Sequence, residues 1–429
     1  MINSNNQIAE ENFFHLPLKD GTRALTIDTL NRYSDFRRPK RPYLRIKRRN
    51  ISFQNELLTI GVTLDDEDEE KVYIKVTASE LFVCCSVDTT DSYLSRYAYF
   101  ALYDMMSIYN ETDFEDYCWP GFFDENGQSK YLRIKLYGGC LTVHPKLRYK
   151  GMFKPSQLLP LAISCIGKKE STGVVIAERP QKDAKDIIGF CLAYTSLEKW
   201  HSNHLPFLVP YTGILNKALD SVKGFKKYVL GSADLPNREI DNLHQQLIDI
   251  CFEMKKIALV KYREFRDDEL AEQHKKKSNR DNFCELLERW HQALPLLSGS
   301  TFTHSRFTYG MRNIKGKPLK QDMRPCVISS EVPEICFLWK DRGDYFKLEL
   351  RFMVKGVMYE VSSFYCTAFF ISAGGHHKIF YLLQSVTECD LMAFFSRRSF
   401  QLLMLKPHYE LYCKDFVASL RKIFRFYNR

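Results

Sequence analysis

Hydrophobic and polar positions change period several times along the chain, and each change marks an element. Val72, Ile74 and Val76 alternate with polar residues, as in a half-buried strand. Residues 93–109 carry Leu94, Tyr97, Ala98, Ala101 and Met105 at helical spacing. Tyr131–Tyr137 and Cys140–His144 flank Gly138-Gly139. Paired glycines permit the positive φ of a tight turn, so a hairpin is expected there. The apolar runs Gly173–Ala177 and Ile187–Tyr194 predict further strands. From residue 236 the period lengthens: Ile240, Leu243, Leu247, Ile250, Met254 and Ile257 share one helical face. That pattern fades into the charged stretch Arg263–Arg280 and resumes at Phe283, Leu286, Leu287 and Trp290.

The last third returns to strands. Ile335–Trp339, Tyr345–Val354 and Val357–Val361 are joined by Asp341-Arg342-Gly343-Asp344 and Lys355-Gly356, the pattern of a meander. Phe364–Ile371 and Ile379–Leu383 follow around Gly374-Gly375, and a closing helix from about His408 aligns Leu411, Phe416, Leu420, Ile423 and Tyr427. The expected fold class is α+β: a mixed N-terminal unit, a helical connector and an antiparallel β-rich C-terminal unit ending in a helix. The expected divisions are a basic lead-in over residues 1–50, loose over residues 1–36, a mixed domain over 51–232, a helical connector over 233–297 and a β-rich domain over 298–429.

Composition narrows the class. At 429 residues with 14% aromatics, the chain is too long for one small domain and too rich in Phe and Tyr for disorder. Its 13 cysteines form no C-x-x-C, and Cys84-Cys85 is the one adjacent pair, which argues against a disulfide framework and for a reducing, cytoplasmic setting. Met1 to Asn6 lack the basic-then-apolar order of a signal peptide. The longest apolar stretches, such as Leu158 to Ile166, fall short of the roughly 18 residues of a membrane span. A soluble cytoplasmic protein with no membrane partner is expected.

Motifs for chemistry are missing. The nearest approach to a phosphate-binding P-loop, Gly310 to Pro318, has one residue too many between its glycines and Pro318 where a hydroxyl belongs. No dinucleotide fingerprint, zinc-protease helix or nucleophile elbow occurs. His201 with His204, and His376-His377, lack partners at zinc spacing and read as loop histidines. Asp341, Asp344, Lys347 and Glu349 could assemble a metal-dependent nuclease set, but the plainer reading is the polar face of a sheet. No cofactor, metal ligand or catalytic residue is assigned, and a non-enzymatic role is favoured.

Charge is more informative. The net charge is +10, and it is clustered. Arg37, Arg38, Lys40, Arg41, Arg45, Lys47, Arg48 and Arg49 interleave with Tyr43 and two prolines. Arg306, Phe307, Tyr309, Arg312, Lys315, Lys317 and Lys320 form a second cluster, and Arg421, Lys422, Arg425 and Arg429 a third on the last helix. Cations neutralise phosphates and aromatics offer stacking faces for bases, so these are candidate nucleic-acid contacts. Each has a plainer reading: an ion-paired partner of the acidic run Asp65–Glu70 for the first cluster, a soluble linker for the second, and cations that suit a helix C-terminus for the third.

Trp119-Pro120-Gly121-Phe122-Phe123-Asp124 leading to Ser129–Leu132, then Pro145–Gly151 leading to Lys154-Pro155, with the strand-rich end from Pro333, resemble regions preceding the motor of some bacterial Swi/Snf-type helicases. The resemblance covers most of the chain. It implies a DNA-associated, non-catalytic platform beside a helicase-type ATPase. The chain has no motor motifs, so ATP hydrolysis does not carry over. The expected function is engagement of nucleic acid, or of a nucleic-acid-processing complex, through basic surfaces. The alternative is a scaffold whose Asp65–Glu70 run meets a protein partner.

Overall fold

The computed structural model describes residues 12–34, 44–87, 91–155, 159, 186–195, 204–236, 240–259, 269–297, 302–308, 310–361, 366–373 and 378–428. The fold is α+β and rich in antiparallel strands. Two units emerge: Met1–Leu159 with Leu403–Lys414, and Pro160–Leu402 with Asp415–Arg429.

Alternating sequence builds the first unit's five-stranded antiparallel sheet, in the order Phe14–Pro17, Glu80–Cys85, Glu70–Val76, Leu57–Leu64, Ile46–Gln54. Val72, Ile74 and Val76 are buried together, as their spacing requires, and Leu58, Ile60, Val62 and Leu64 meet them from the neighbouring strand. Helix Arg96–Met106 covers this layer with Ala98, Ala101 and Leu102. Ser95 starts it, its hydroxyl accepting the Ala98 N–H. Residues 12–34 are not a loose lead-in. Phe14–Pro17 closes one sheet edge with Leu16 fully buried, and Thr26 caps the short helix Ile27–Arg32. A strand of four residues carries too little periodicity to announce itself.

The hairpin expected around Gly138-Gly139 is present as Leu132–Tyr137 paired with Cys140–Pro145. Both glycines have positive φ, +56° and +79°, which is the turn a two-residue hairpin needs. Leu132, Leu141 and Val143 turn inward against strand Ile46–Gln54, and the Asn50 amide donates to the Gly139 carbonyl at 2.9 Å.

In the second unit a seven-stranded mixed sheet runs Val222–Tyr228, Phe207–Leu215, Asp186–Tyr194, Thr303–Phe307, Arg324–Ser329, Lys378–Leu382, Phe370–Ala373. Asp186–Tyr194 lies parallel to Thr303–Phe307, and parallel neighbours need a crossover. Helices Asn242–Ile257 and Glu269–Leu297 bring the chain back to supply it. Trp290 anchors them: fully buried, it donates its indole N–H to the Pro206 carbonyl at 2.7 Å and meets Phe370 edge-on. The meander appears as Glu334–Asp341, Tyr345–Val354 and Val357–Glu360. Phe337 is buried under Phe395 and Phe426. The late helix is present at Lys414–Ile423, and the chain then adds a strand, Arg425–Asn428, parallel to Glu334–Asp341, so Tyr427 belongs to sheet rather than helix. The run expected at Gly173–Ala177 and the pair Gly374-Gly375 lie outside the described residues, while the strands expected on either side of that pair are present as Phe370–Ala373 and Lys378–Leu382, paired antiparallel. Among those described, no helix is long and apolar enough to cross a membrane.

Candidate nucleic-acid interface

The first basic cluster is divided by its own strand. Arg37, Arg38, Lys40 and Arg41 lie outside the described residues. Arg45, Lys47, Arg48 and Arg49 lead into and along Ile46–Gln54, an edge of the five-stranded sheet. Arg49 makes a two-pronged pair with Glu69, both bonds 2.6 Å, and that hydrogen bonding holds the Glu69 carboxyl below its ordinary value. Arg48 meets Asp104 of the covering helix at 2.9 Å. The backbone of Arg45 exchanges hydrogen bonds with Asp65, while Lys47 is exposed with no ion pair among the described residues.

Four of the six acids in the run Asp65–Glu70 are engaged within the same unit: Asp65, Glu67, Glu69 and Glu70. Glu67 takes Arg96 and the Tyr97 hydroxyl, and hydrogen bonding from Tyr97 then Arg96 keeps its carboxyl ionised to lower pH. Glu70 accepts from Ser86 at 2.6 Å. Arg48 and Arg49 therefore reach solvent already paired.

The second cluster is arranged differently. Arg306 lies on strand Thr303–Phe307 with its side chain 12% exposed, donating to the Tyr228 hydroxyl at 2.8 Å and to Asp322 at 3.2 Å. Arg306 is thus a brace beneath the loop of residues 308–323. Thr308 and Gly310 bond to each other at the loop's start, buried Ile314 pins its middle, and the Tyr228 N–H donates to the Gly316 carbonyl at 2.9 Å. Asp322 is the loop's one acid, and Arg306 engages it from below. Arg312, Lys315, Lys317 and Lys320 are all exposed, as is Arg324 at the start of the next strand, and none has an ion pair among the described residues. Phe307 is 42% exposed and meets Tyr194 edge-on. Tyr309 lies outside the described residues.

A further basic surface escapes a reading based on charge runs. Residues 126–169 contain no Asp or Glu, where average usage would place about five, yet hold nine Lys or Arg. The cations alternate with apolar residues, which dilutes them by eye. The hairpin's pleat separates them. Arg133, Lys135 and Tyr137 are exposed on one strand, opposite His144, Thr142 and Cys140 on the other. An acid-free window, rather than a cation run, is the signal that finds this surface.

The residues carrying the helicase resemblance build a joint in this unit. The Trp119 indole donates to the Asp116 carbonyl at 2.8 Å, and buried Lys154 lies 4.4 Å over that ring while pairing with Glu115. His408 donates through Nε2 to the Pro120 carbonyl at 2.8 Å and packs against Phe122 and Phe153. Burial lowers its affinity for a proton, so the ring is neutral.

Arg421 of the last helix sits over Trp339 and Phe426, whereas Arg425 belongs to the strand that follows and pairs with Glu334, and Arg429 lies outside the described residues. The nuclease-like set does not converge. Glu349 is surrounded by Lys347 at 2.5 Å, Arg351 at 2.7 Å and Lys340 at 3.2 Å, while Asp341 accepts from the Gly343 N–H. Three cations around one carboxylate outweigh its charge and occupy its oxygens, which disfavours a metal ion there. His204 is buried beside its own backbone, Nδ1 2.9 Å from the Leu205 carbonyl oxygen, and burial lowers its pKa; His201, His376 and His377 lie outside the described residues. Among the described residues no three His, Cys, Asp or Glu gather as a metal site. No protein-family model, curated protein or solved structure matches this chain.

Proposed function

We propose that the chain is a non-enzymatic protein that engages nucleic acid through basic surfaces, one on each unit. The observation carrying this reading is the 308–323 loop: four exposed cations, with Arg324 beside them, over a single acid already engaged by Arg306. On the edge strand Ile46–Gln54, by contrast, Arg48 and Arg49 are paired by Asp104 and Glu69. Unpaired cations on a braced loop cost little to bring to a phosphate backbone, because no internal ion pair must break first. Phe307 adds an exposed ring beside them. A platform of this kind suits a position beside a helicase-type ATPase, the partner the family resemblance implies. The competing scaffold role through Asp65–Glu70 is weakened by how much of that run is bonded within its own unit.

Fluorescence anisotropy with duplex and single-stranded probes across a salt series tests the proposal. Log affinity for a duplex should fall with log salt by about 0.9 per neutralised phosphate. Lys315→Glu with Lys317→Glu should weaken binding to every sequence alike and reduce that slope by about 2. Absence of binding at low salt would sink the reading and leave a protein partner as the better account.

A further inference from the structure

We infer that the hairpin Leu132–Tyr137/Cys140–Pro145 is a two-stranded ribbon that enters the major groove of duplex DNA; this rests on the nucleic-acid reading above and names its substrate. The inner face of the ribbon is anchored by Leu132, Leu141 and Val143, all buried. Its outer face presents Arg133, Lys135 and Tyr137 in alternation, with Thr142 and His144 across the register. Arg133 and Lys135 have no ion pair among the described residues, and no acid lies within residues 126–169 to supply one nearby in sequence. Toward the turn both faces meet solvent, Leu136 being half exposed and Tyr137 88% exposed. The tie from Asn50 to Gly139 and the two positive-φ glycines hold that end in one shape.

Dimensions fit one groove and not the other. Paired strands lie about 5 Å apart, and the major groove of B-form DNA, about 12 Å wide, admits a two-stranded ribbon. Alternate residues on a strand are about 7 Å apart, close to two base-pair steps of about 3.4 Å each. Arg133 and Lys135 can therefore reach acceptors two base pairs apart, with guanine edges the natural partners of both. The deep, narrow major groove of A-form RNA excludes such a ribbon. Cys140, exposed on the same outer face, offers an independent reporter, since the other described cysteines are buried or half-buried.

The full chain is titrated by anisotropy with a DNA duplex, the RNA duplex of the same sequence and the single DNA strand. Alkylation of Cys140 by iodoacetamide is followed by peptide mass spectrometry with each probe at saturation. Tighter binding to the DNA duplex than to the RNA duplex by about tenfold or more is expected, with Cys140 protected by the DNA duplex alone. Arg133→Ala with Lys135→Ala should erase that preference while leaving the unfolding temperature unchanged and the salt-sensitive binding of the 308–323 loop in place. Equal affinity for both duplexes, or Cys140 alkylated at the same rate with saturating DNA, overturns the ribbon assignment and leaves the broader reading standing. Failure to bind any probe overturns both.

Discussion

Glu349 shows how much one side chain can carry. Its carboxylate, 8% exposed, is shared by Lys340, Lys347 and Arg351, themselves 16–24% exposed. Lys340 and Lys347 face each other across the strand pair, an arrangement of like charges that is unfavourable without a carboxylate between them. Glu349→Gln removes the charge, keeps the shape and leaves three cations together, so a loss of about 3 kcal/mol is expected, read from the urea midpoint. Burial acts to raise the Glu349 pKa, but hydrogen bonding and charge from Lys347, then Arg351 and Lys340, bring it below 4.5. A carboxyl lowered in this way stabilises the fold above its unfolded pKa of about 4.5, and that stability fades as pH falls through the folded value. The variant's stability should therefore fall less between pH 5 and 3 than the parent's, roughly within the window where the carboxyl titrates.

At the scale of elements, the hairpin shows what the sequence made legible and what it hid. Gly138-Gly139 between two apolar-polar runs announces turn and register together, because only that turn matches the strand twist. Ala at both positions puts side chains into the left-handed region at a cost of about 1 kcal/mol or more each. Amide protection across Leu132–Tyr137 and Cys140–Pro145 should fall in that variant, with Tyr345–Val354 unaffected, as hydrogen exchange would show. Strands with strict alternation and helices with a full apolar stripe were readable for the same reason: local period reports local burial. The parallel pairing of Asp186–Tyr194 with Thr303–Phe307 was not, since its partners are more than a hundred residues apart and nothing in either run names the other. Charge followed the same divide. Basic residues were easy to find, but whether each was spent, as Arg49 and Arg306 are, or free, as Lys315 is, depended on acids that folding brings close.

For the whole molecule the course of the chain matters more than its composition. Leu403–Lys414 belongs to the first unit and Asp415–Arg429 to the second, so the chain passes between them three times. Leu403 bonds to Gly151 and Phe153 by backbone, and His408 fills the pocket between Phe122 and Phe153. Removing Leu403–Arg429 should therefore abolish cooperative melting in both units, followed by circular dichroism, rather than trim one end of the second. The same routing sets a schedule during synthesis. The first unit's sheet strands leave the ribosome early, yet the residues that seal its Trp119–Lys154 joint come from beyond residue 402. At about 5–20 residues per second, the stretch from Leu159 to Lys414 takes on the order of 10–50 s to translate. For that interval a nascent chain holds a finished hairpin on an unfinished body, with Phe122 and Phe153 uncovered and open to capture by a chaperone.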